Sequence, residues 1–192
     1  MKFLIVAHPD DEILWFNPNY FDHIFIIFND RKDKEYMGSA RHAVMNEHPC
    51  KQKISLMNFD EPGYWKDKTK KLAYKEAKTA ILNALRKILL SHKITCIFTH
   101  NHVGEYGHSD HVLVNKCVEL VFRKKHPIWA PDINLTQHEN KRITSTKCSL
   151  KTNFLDYQLI KELYISHKAW TWNPNYIPNE TQEYYCMNEG VL

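Results

Sequence analysis

Lys2-Phe3-Leu4-Ile5-Val6-Ala7 runs without a break into His8-Pro9-Asp10-Asp11-Glu12. The first six residues form a continuous run rich in β-formers. Such a run reads as a strand buried on both faces, as in a parallel sheet covered by helices. It is too short for a signal peptide, and acidic residues follow it at once. The second half therefore sits just beyond the carboxyl end of a buried strand, where parallel α/β folds bind their ligands.

The chain repeats this pattern. His23 to Phe28, Lys53 to Met57 and Ile94 to Thr99 read as further strands. Helices are expected between them, over Ser39 to Glu47 (ended by Pro49), Asp67 to Ser91, and Ser109 to Phe122 with Ser109 as N-cap. The second of these is the strongest, because Leu72, Ala73, Ala77, Ala80, Ile81, Ala84, Leu85, Ile88 and Leu89 recur at three- and four-residue spacing. Alternating strands and helices predict an α/β fold with a mostly parallel sheet. Beyond residue 125 the pattern weakens. Residues 126–153 read as loops or short strands. Leu155 to His167 reads as a helix with Leu155, Leu159, Ile160 and Leu163 on one face. The stretch Ala169-Trp170-Thr171-Trp172-Asn173-Pro174 reads as an aromatic loop, in which the two tryptophans share one face of an extended segment. Nothing in the sequence marks a linker, so one domain over 1–192 is expected.

Composition narrows the function classes. With 43% hydrophobic and 25% charged residues in 192, the chain has the make-up of an ordinary globular domain. No apolar run approaches the roughly 20 residues of a membrane span, so no transmembrane segment is expected. Five cysteines, odd in number and never spaced C-x-x-C, argue against a disulfide framework and against a cysteine zinc ribbon. A reducing, cytoplasmic setting fits them. The net charge of +4 comes from diffuse lysines, with short clusters such as Lys66 to Lys71 that read as a solvated face, or in the sharper alternative as a contact for a phosphate-bearing or anionic substrate. A nucleic-acid partner is not expected.

Two clusters carry the chemistry. In the first, His8 offers an imidazole nitrogen and Asp11 a carboxylate oxygen to a metal ion. Neighbours along an extended chain face opposite ways, so Asp10 is free to take a proton while Asp11 holds the ion. The second cluster, Thr99-His100-Asn101-His102-Val103-Gly104-Glu105-Tyr106-Gly107-His108-Ser109-Asp110-His111, follows the fourth strand and so lies on the same sheet edge. His108 and His111 are three apart at a helix start and project to neighbouring positions. We read one of the pair as a ligand and the other as an acid–base group. His8, Asp11 and His111 then make a three-ligand set of the kind that leaves a coordination position for water in catalytic zinc sites. Asp10 is the expected base. A protonated His108 would stabilise an oxyanion and protonate a leaving nitrogen, with Asp110 holding it charged.

Both motifs, in this order and each after a strand, resemble the LmbE/PIG-L family of zinc-dependent N-deacetylases. The family's A-H-P-D-D-E is unbroken at Ala7 to Glu12, and its G-E-Y-G-H-P-D/E-H is similar to Gly104 to His111, with Ser109 in place of proline. The resemblance implies a Rossmann-like sheet with helices on both faces. The family domain would comprise a motif-bearing core over 1–125 and a C-terminal completion over 126–192. It also implies hydrolysis of an N-acetylated sugar or glycoconjugate, with zinc or another divalent ion such as Fe2+ as cofactor. The implied ligands are His8, Asp11 and His111, the base Asp10, and the acid or oxyanion group His108, with Tyr106 beside it. Arg41 is the candidate for a sugar contact. Family members place a full helix after the first motif, whereas here Ile13 to Pro18 leads quickly into the second strand, so that helix is expected to be short or absent.

Tryptophans offer flat faces for sugar rings. Trp15, Trp65, Trp170 and Trp172 are the candidates, with Trp15 and Trp170 preferred. A metal-dependent phosphoesterase or nuclease is the competing enzyme class, although two-metal phosphoryl chemistry usually uses more carboxylates. A sugar- or nucleotide-binding module with structural zinc is the non-enzymatic reading. It lacks a four-ligand set. Oligomeric state is open, with a homo-oligomer among the options.

Overall fold

In a computed structural model, residues 1–133 and 147–188 are described. The strands are β1 (Lys2–Val6), β2 (His23–Asp30), β3 (Ile54–Asp60), β4 (Cys96–Thr99), β5 (Ile128–Pro131), β6 (Lys147–Lys151) and β7 (Thr181–Cys186). The helices are α1 (Asp11–Leu14), α2 (Tyr36–Glu47), α3 (Lys71–Ser91), α4 (Gly104–Gly107), α5 (Ser109–Phe122) and α6 (Phe154–Ser166). The seven strands form one sheet in the order β3-β2-β1-β4-β5-β7-β6. Pairs among β1 to β5 are parallel, while β7 runs antiparallel to both β5 and β6. The α/β architecture expected from the sequence is the one observed, and its parallel half has the Rossmann order.

Alternation along each buried strand builds two cores. Leu4, Val6, Ile24 and Ile26 face one side, against Val44 and Met45 of α2 and Tyr157, Ile160 and Tyr164 of α6. Phe3, Ile5, Phe25 and Ile27 face the other, against Ile81, Leu85 and Ile88 of α3 and Leu113, Val114, Cys117 and Val118 of α5. Fully burying each such aliphatic side chain contributes about 1.5–3 kcal/mol. Strand order reverses between β1 and β4. Adjacent connections leave there in opposite directions and open a crevice.

Several details depart from expectation. Ser109 is the first residue of α5 rather than its cap; the His108 side chain caps that helix by accepting the Asp110 amide at Nδ1, 3.2 Å. α3 starts at Lys71, because Asp67 first closes a turn by accepting the Thr69 amide. α6 buries Tyr157, Ile160 and Tyr164, while Leu155 and Leu159 are exposed. The tyrosines displace leucines from the core face because their hydroxyls find buried partners. The tail 169–174 is irregular, as expected, and β7 was not foreseen. Of the expected loops or short strands over 126–153, β5 and β6 are described and residues 134–146 lie outside the described residues. Among the described residues, no helix is long and apolar enough to cross a membrane.

Candidate metal centre

The two sequence clusters meet at the crevice between β1 and β4. On the β1 side the chain turns sharply at Asp10, whose φ is 94°. The turn is clamped from inside. The Asp10 amide donates to Glu12 Oε2 at 2.9 Å and to the Tyr164 hydroxyl oxygen at 2.8 Å, while that hydroxyl donates to Glu12 Oε1 at 2.8 Å. Asp10 and Asp11 therefore diverge because of a left-handed residue, not because they alternate along an extended strand. α1 is a single turn, as the short segment before β2 implied.

On the β4 side Glu105 does the corresponding work. It stands at φ 56°, rare for a non-glycine residue. Its carboxylate is buried and accepts from Asn101 N at 2.8 Å, His100 Nδ1 at 3.0 Å and His111 Nδ1 at 2.6 Å. Burial opposes its charge, but His100 and His111 outweigh that and hold its pKa down to about 2.

Three overlapping trios of buried or half-buried His, Asp and Glu side chains bring their ligand atoms within 4.8 Å of one another: His8, His108 and His111; Asp11, His100 and His111; and His8, Glu61 and Asp110. Hydrogen bonds decide which atoms remain free. His100 Nε2 already accepts the Ala7 amide at 2.9 Å. Glu61 is held by Arg41 Nη1 at 2.8 Å and Arg31 Nε at 3.4 Å. His111 is different. Its Nδ1 is bonded to Glu105, which leaves Nε2 as the lone-pair nitrogen, and that buried atom has no hydrogen-bond partner. It faces Asp11 Oδ1 at 3.4 Å. On the other side Asp11 Oδ2 lies 3.4 Å from His8 Nδ1, while His8 Nε2 meets Asp110 Oδ2 at 3.4 Å. Each candidate histidine ligand thus has a carboxylate behind it and its other nitrogen turned to Asp11. Metal-binding histidines usually have this outer support. These side chains can hold a divalent cation, but the set expected from the sequence is divided: Asp11 and His111 share one trio and His8 and His111 another, while His8, Asp11 and His111 do not form a trio of their own.

The charges are arranged around that position. Burial works against Asp11's charge, but His111, His100 and His8 hold its pKa well below the usual carboxylate range. Burial lowers His111. Burial also disfavours the His8 imidazolium, yet Glu61, Asp11 and Asp110 prevail and lift it to about 10. Burial and the Asp11 charge raise Asp10 to about 7, with Thr171 pulling the other way. Thr171 Oγ1 donates to Asp10 Oδ2 at 2.6 Å and the Thr171 amide at 3.2 Å.

His108 departs from its expected role. Its Nδ1 accepts the Asp110 amide, so it is a neutral ring with its proton on Nε2. Burial and the charges of His8 and His111 hold its pKa far below normal. The Asp110 carboxylate pairs with His8 instead of supporting a charged His108.

A small cavity of about 50 Å³ joins His8, Asp10 and Asp11 to Arg41, Tyr106, His108, Thr171 and Trp172. It has room for an ion and a water molecule or two. Arg41 reaches it from α2. Gly38, one turn earlier, lets that helix close on β2, because a Cβ there would fall 1.8 Å from Asp30 Oδ1. Arg41 is itself buried and spends Nη1 on Glu61 and the Asn29 carbonyl. Tyr106 lines the cavity with its ring 5.4 Å from that of His111. The two preferred tryptophans lie elsewhere. Trp15 is core, behind Trp172 at 5.4 Å and Tyr106 at 6.3 Å. Trp170 packs on Tyr164, because the chain turns at Lys168 (φ 59°) and both Ala169 N and Trp170 N donate to the Tyr164 carbonyl. The segment is therefore not extended, and Thr171 and Trp172 line the cavity in place of Trp170.

Sequence reasoning missed Glu105, Glu61, Arg31, Thr171 and Tyr164. Glu105 alone had a local signal, a carboxylate between histidines. A bulge at Asn58 (φ 54°), with shifted β2–β3 register, delivers Glu61 beside Arg31. No family model and no curated protein matches the chain.

Proposed function

We propose that the protein is a zinc-dependent amide hydrolase that removes the N-acetyl group from an amino sugar or its conjugate. The observation that carries this is the buried, unpartnered Nε2 of His111, backed by Glu105 and facing Asp11, which with His8 and a second aspartate, Asp10, lines the small cavity. The amino-sugar part rests on the two motifs' resemblance to the deacetylase family.

Bound zinc would supply Lewis acidity to the amide carbonyl and acidify a water molecule. His8, Asp11 and His111 would hold it. Asp10 serves as general base: Thr171 occupies Oδ2, leaving Oδ1 to receive the proton. His108 presents Nε2–H as a neutral donor to the oxygen on which charge develops, its other nitrogen being fixed by the Asp110 amide. Asp10, once protonated, is the group that returns a proton to the leaving nitrogen. Tyr106 and Trp172 wall the cavity.

The test is acetate release by zinc-loaded protein from a panel of N-acetyl-hexosamine derivatives. Asp10→Asn is expected to abolish release while zinc content stays at the wild-type level. Retained activity in that variant would remove Asp10 from the mechanism. Release of phosphate from nucleotides without release of acetate would overturn the reading itself.

A further inference from the structure

A much larger groove, of about 810 Å³, opens directly off the small cavity. Arg31, Glu61, Tyr106, His108, Thr171 and Trp172 border both. None of the chemistry at the metal position needs this space. Its volume is typical of sites that enclose ligands of several hundred daltons, well beyond one pyranose ring.

The lining has a definite chemistry. Ala73, Ala77 and Ala80 lie on one face of α3 and make a flat, small-residue floor. Aromatic faces rise beside it. Trp65 stacks on the His108 ring at 4.7 Å and 21°, yet is 39% exposed, so a flat face borders the groove next to the catalytic histidine. Tyr106 and Trp172 stand together at 4.7 Å. Such faces suit the C–H surfaces of sugar rings and leave their hydroxyls to polar neighbours.

The charges argue against a phosphate-bearing ligand. Arg31 is held by Asp33 at 2.9 Å and also faces Glu61. Lys32 pairs with Asp60 at 2.9 Å and Lys66 with Asp33 at 2.5 Å. Glu76 and Asp110 add further negative charge to the lining. Lys70 is a fourth cation of the lining, set with the other three against five carboxylates (Asp33, Asp60, Glu61, Glu76 and Asp110), so a phosphate would have to compete with the three ion pairs and approach those carboxylates. A neutral polyhydroxylated chain meets donors and acceptors of both kinds with no such cost.

We infer that this groove seats an uncharged oligosaccharide, whose terminal or internal N-acetylated sugar enters the small cavity. The inference rests on the deacetylase reading for its reacting sugar and on the groove for the rest. It is tested by calorimetric titration and acetate-release kinetics on the zinc-loaded full chain. The probes are N-acetylglucosamine, N,N′,N″-triacetylchitotriose and UDP-N-acetylglucosamine. The trisaccharide is expected to bind, and to be turned over by kcat/KM, at least about tenfold better than either other probe. Ala77→Trp, which fills the floor, is expected to collapse that preference, with thermal melts showing that it folds. Ala73→Phe serves as the second variant should Ala77→Trp not fold. Equal handling of monosaccharide and trisaccharide, or preference for the nucleotide sugar, overturns the inference and leaves the deacetylase reading intact. Tight trisaccharide binding without acetate release supports the groove and removes the deacetylase. Failure of every probe to bind or react overturns both.

Discussion

Glu105 holds a backbone conformation that costs about 1–3 kcal/mol for a residue with a side chain. The return is a buried carboxylate that fixes the proton of His111 on Nδ1 and so exposes Nε2. Glu105→Gln keeps the shape and loses the charge. It is expected to weaken zinc binding about 10- to 100-fold, measured by competition against a chromophoric chelator; unchanged affinity would make Glu105 purely structural. Thr171 holds Asp10, the proposed base, from a distant stretch of the chain, donating to Oδ2 through both its hydroxyl and its amide. Hydrogen bonds to charged groups contribute about 1.5–3 kcal/mol, so Thr171→Val should lower kcat for acetate release by about ten- to a hundredfold. KM should hold, and Thr171→Ser should recover most of the loss. That His8, Asp10, Asp11 and His111 come together is legible in the sequence, because both motifs directly follow buried strands and so lie on one sheet edge. Glu105 needed a knowledge of φ, and Thr171 a contact across 161 positions, neither of which a linear motif contains.

Elements were legible where burial was two-sided. β1, β2 and β4 are nearly continuous apolar runs and announce themselves. β7 lies next to the edge of the sheet, mixes Thr, Gln and Glu with its tyrosines, and gives no such signal. α6 was found by a face of which Ile160 is buried and Leu163 packs on the core, while Leu155 and Leu159 face solvent; Tyr157 and Tyr164 complete the buried side. This difference has consequences, because Tyr164 links α6 to the turn at Asp10. Its hydroxyl donates to Glu12 and accepts from the Asp10 amide. Tyr164→Phe leaves both groups short of a partner in a buried place and should cost about 1–3 kcal/mol. The melting temperature should fall by several degrees, and activity should fall with it, since the turn at Asp10 loses its clamp. A variant that melts as the wild type does would show that Glu12 alone holds the turn.

For the molecule as a whole, one sheet with a reversal between β1 and β4 gathers His8, Asp10, Asp11, Glu105, His108 and His111 from two distant stretches of chain. The cost is a concentration of buried charge, and without the proposed cation protons offset it. His8 is raised from 6.5 to about 10, so its contribution to stability is complete below pH 6.5 and is lost as pH climbs through 10. Asp10 is raised from 3.8 to about 7, and its contribution is likewise lost as pH rises through 7. The two shifts act in the same direction across neutral pH. Metal-free protein should therefore melt at a lower temperature at pH 8.5 than at pH 6.5. Zinc must displace those protons, so its affinity, and with it the stabilisation of the native state, grows as pH rises. The increase in Tm on adding zinc should accordingly be larger at pH 8.5 than at pH 6.5, read by calorimetry with and without a chelator. A zinc-induced shift independent of pH would mean that the ion binds elsewhere than at His8.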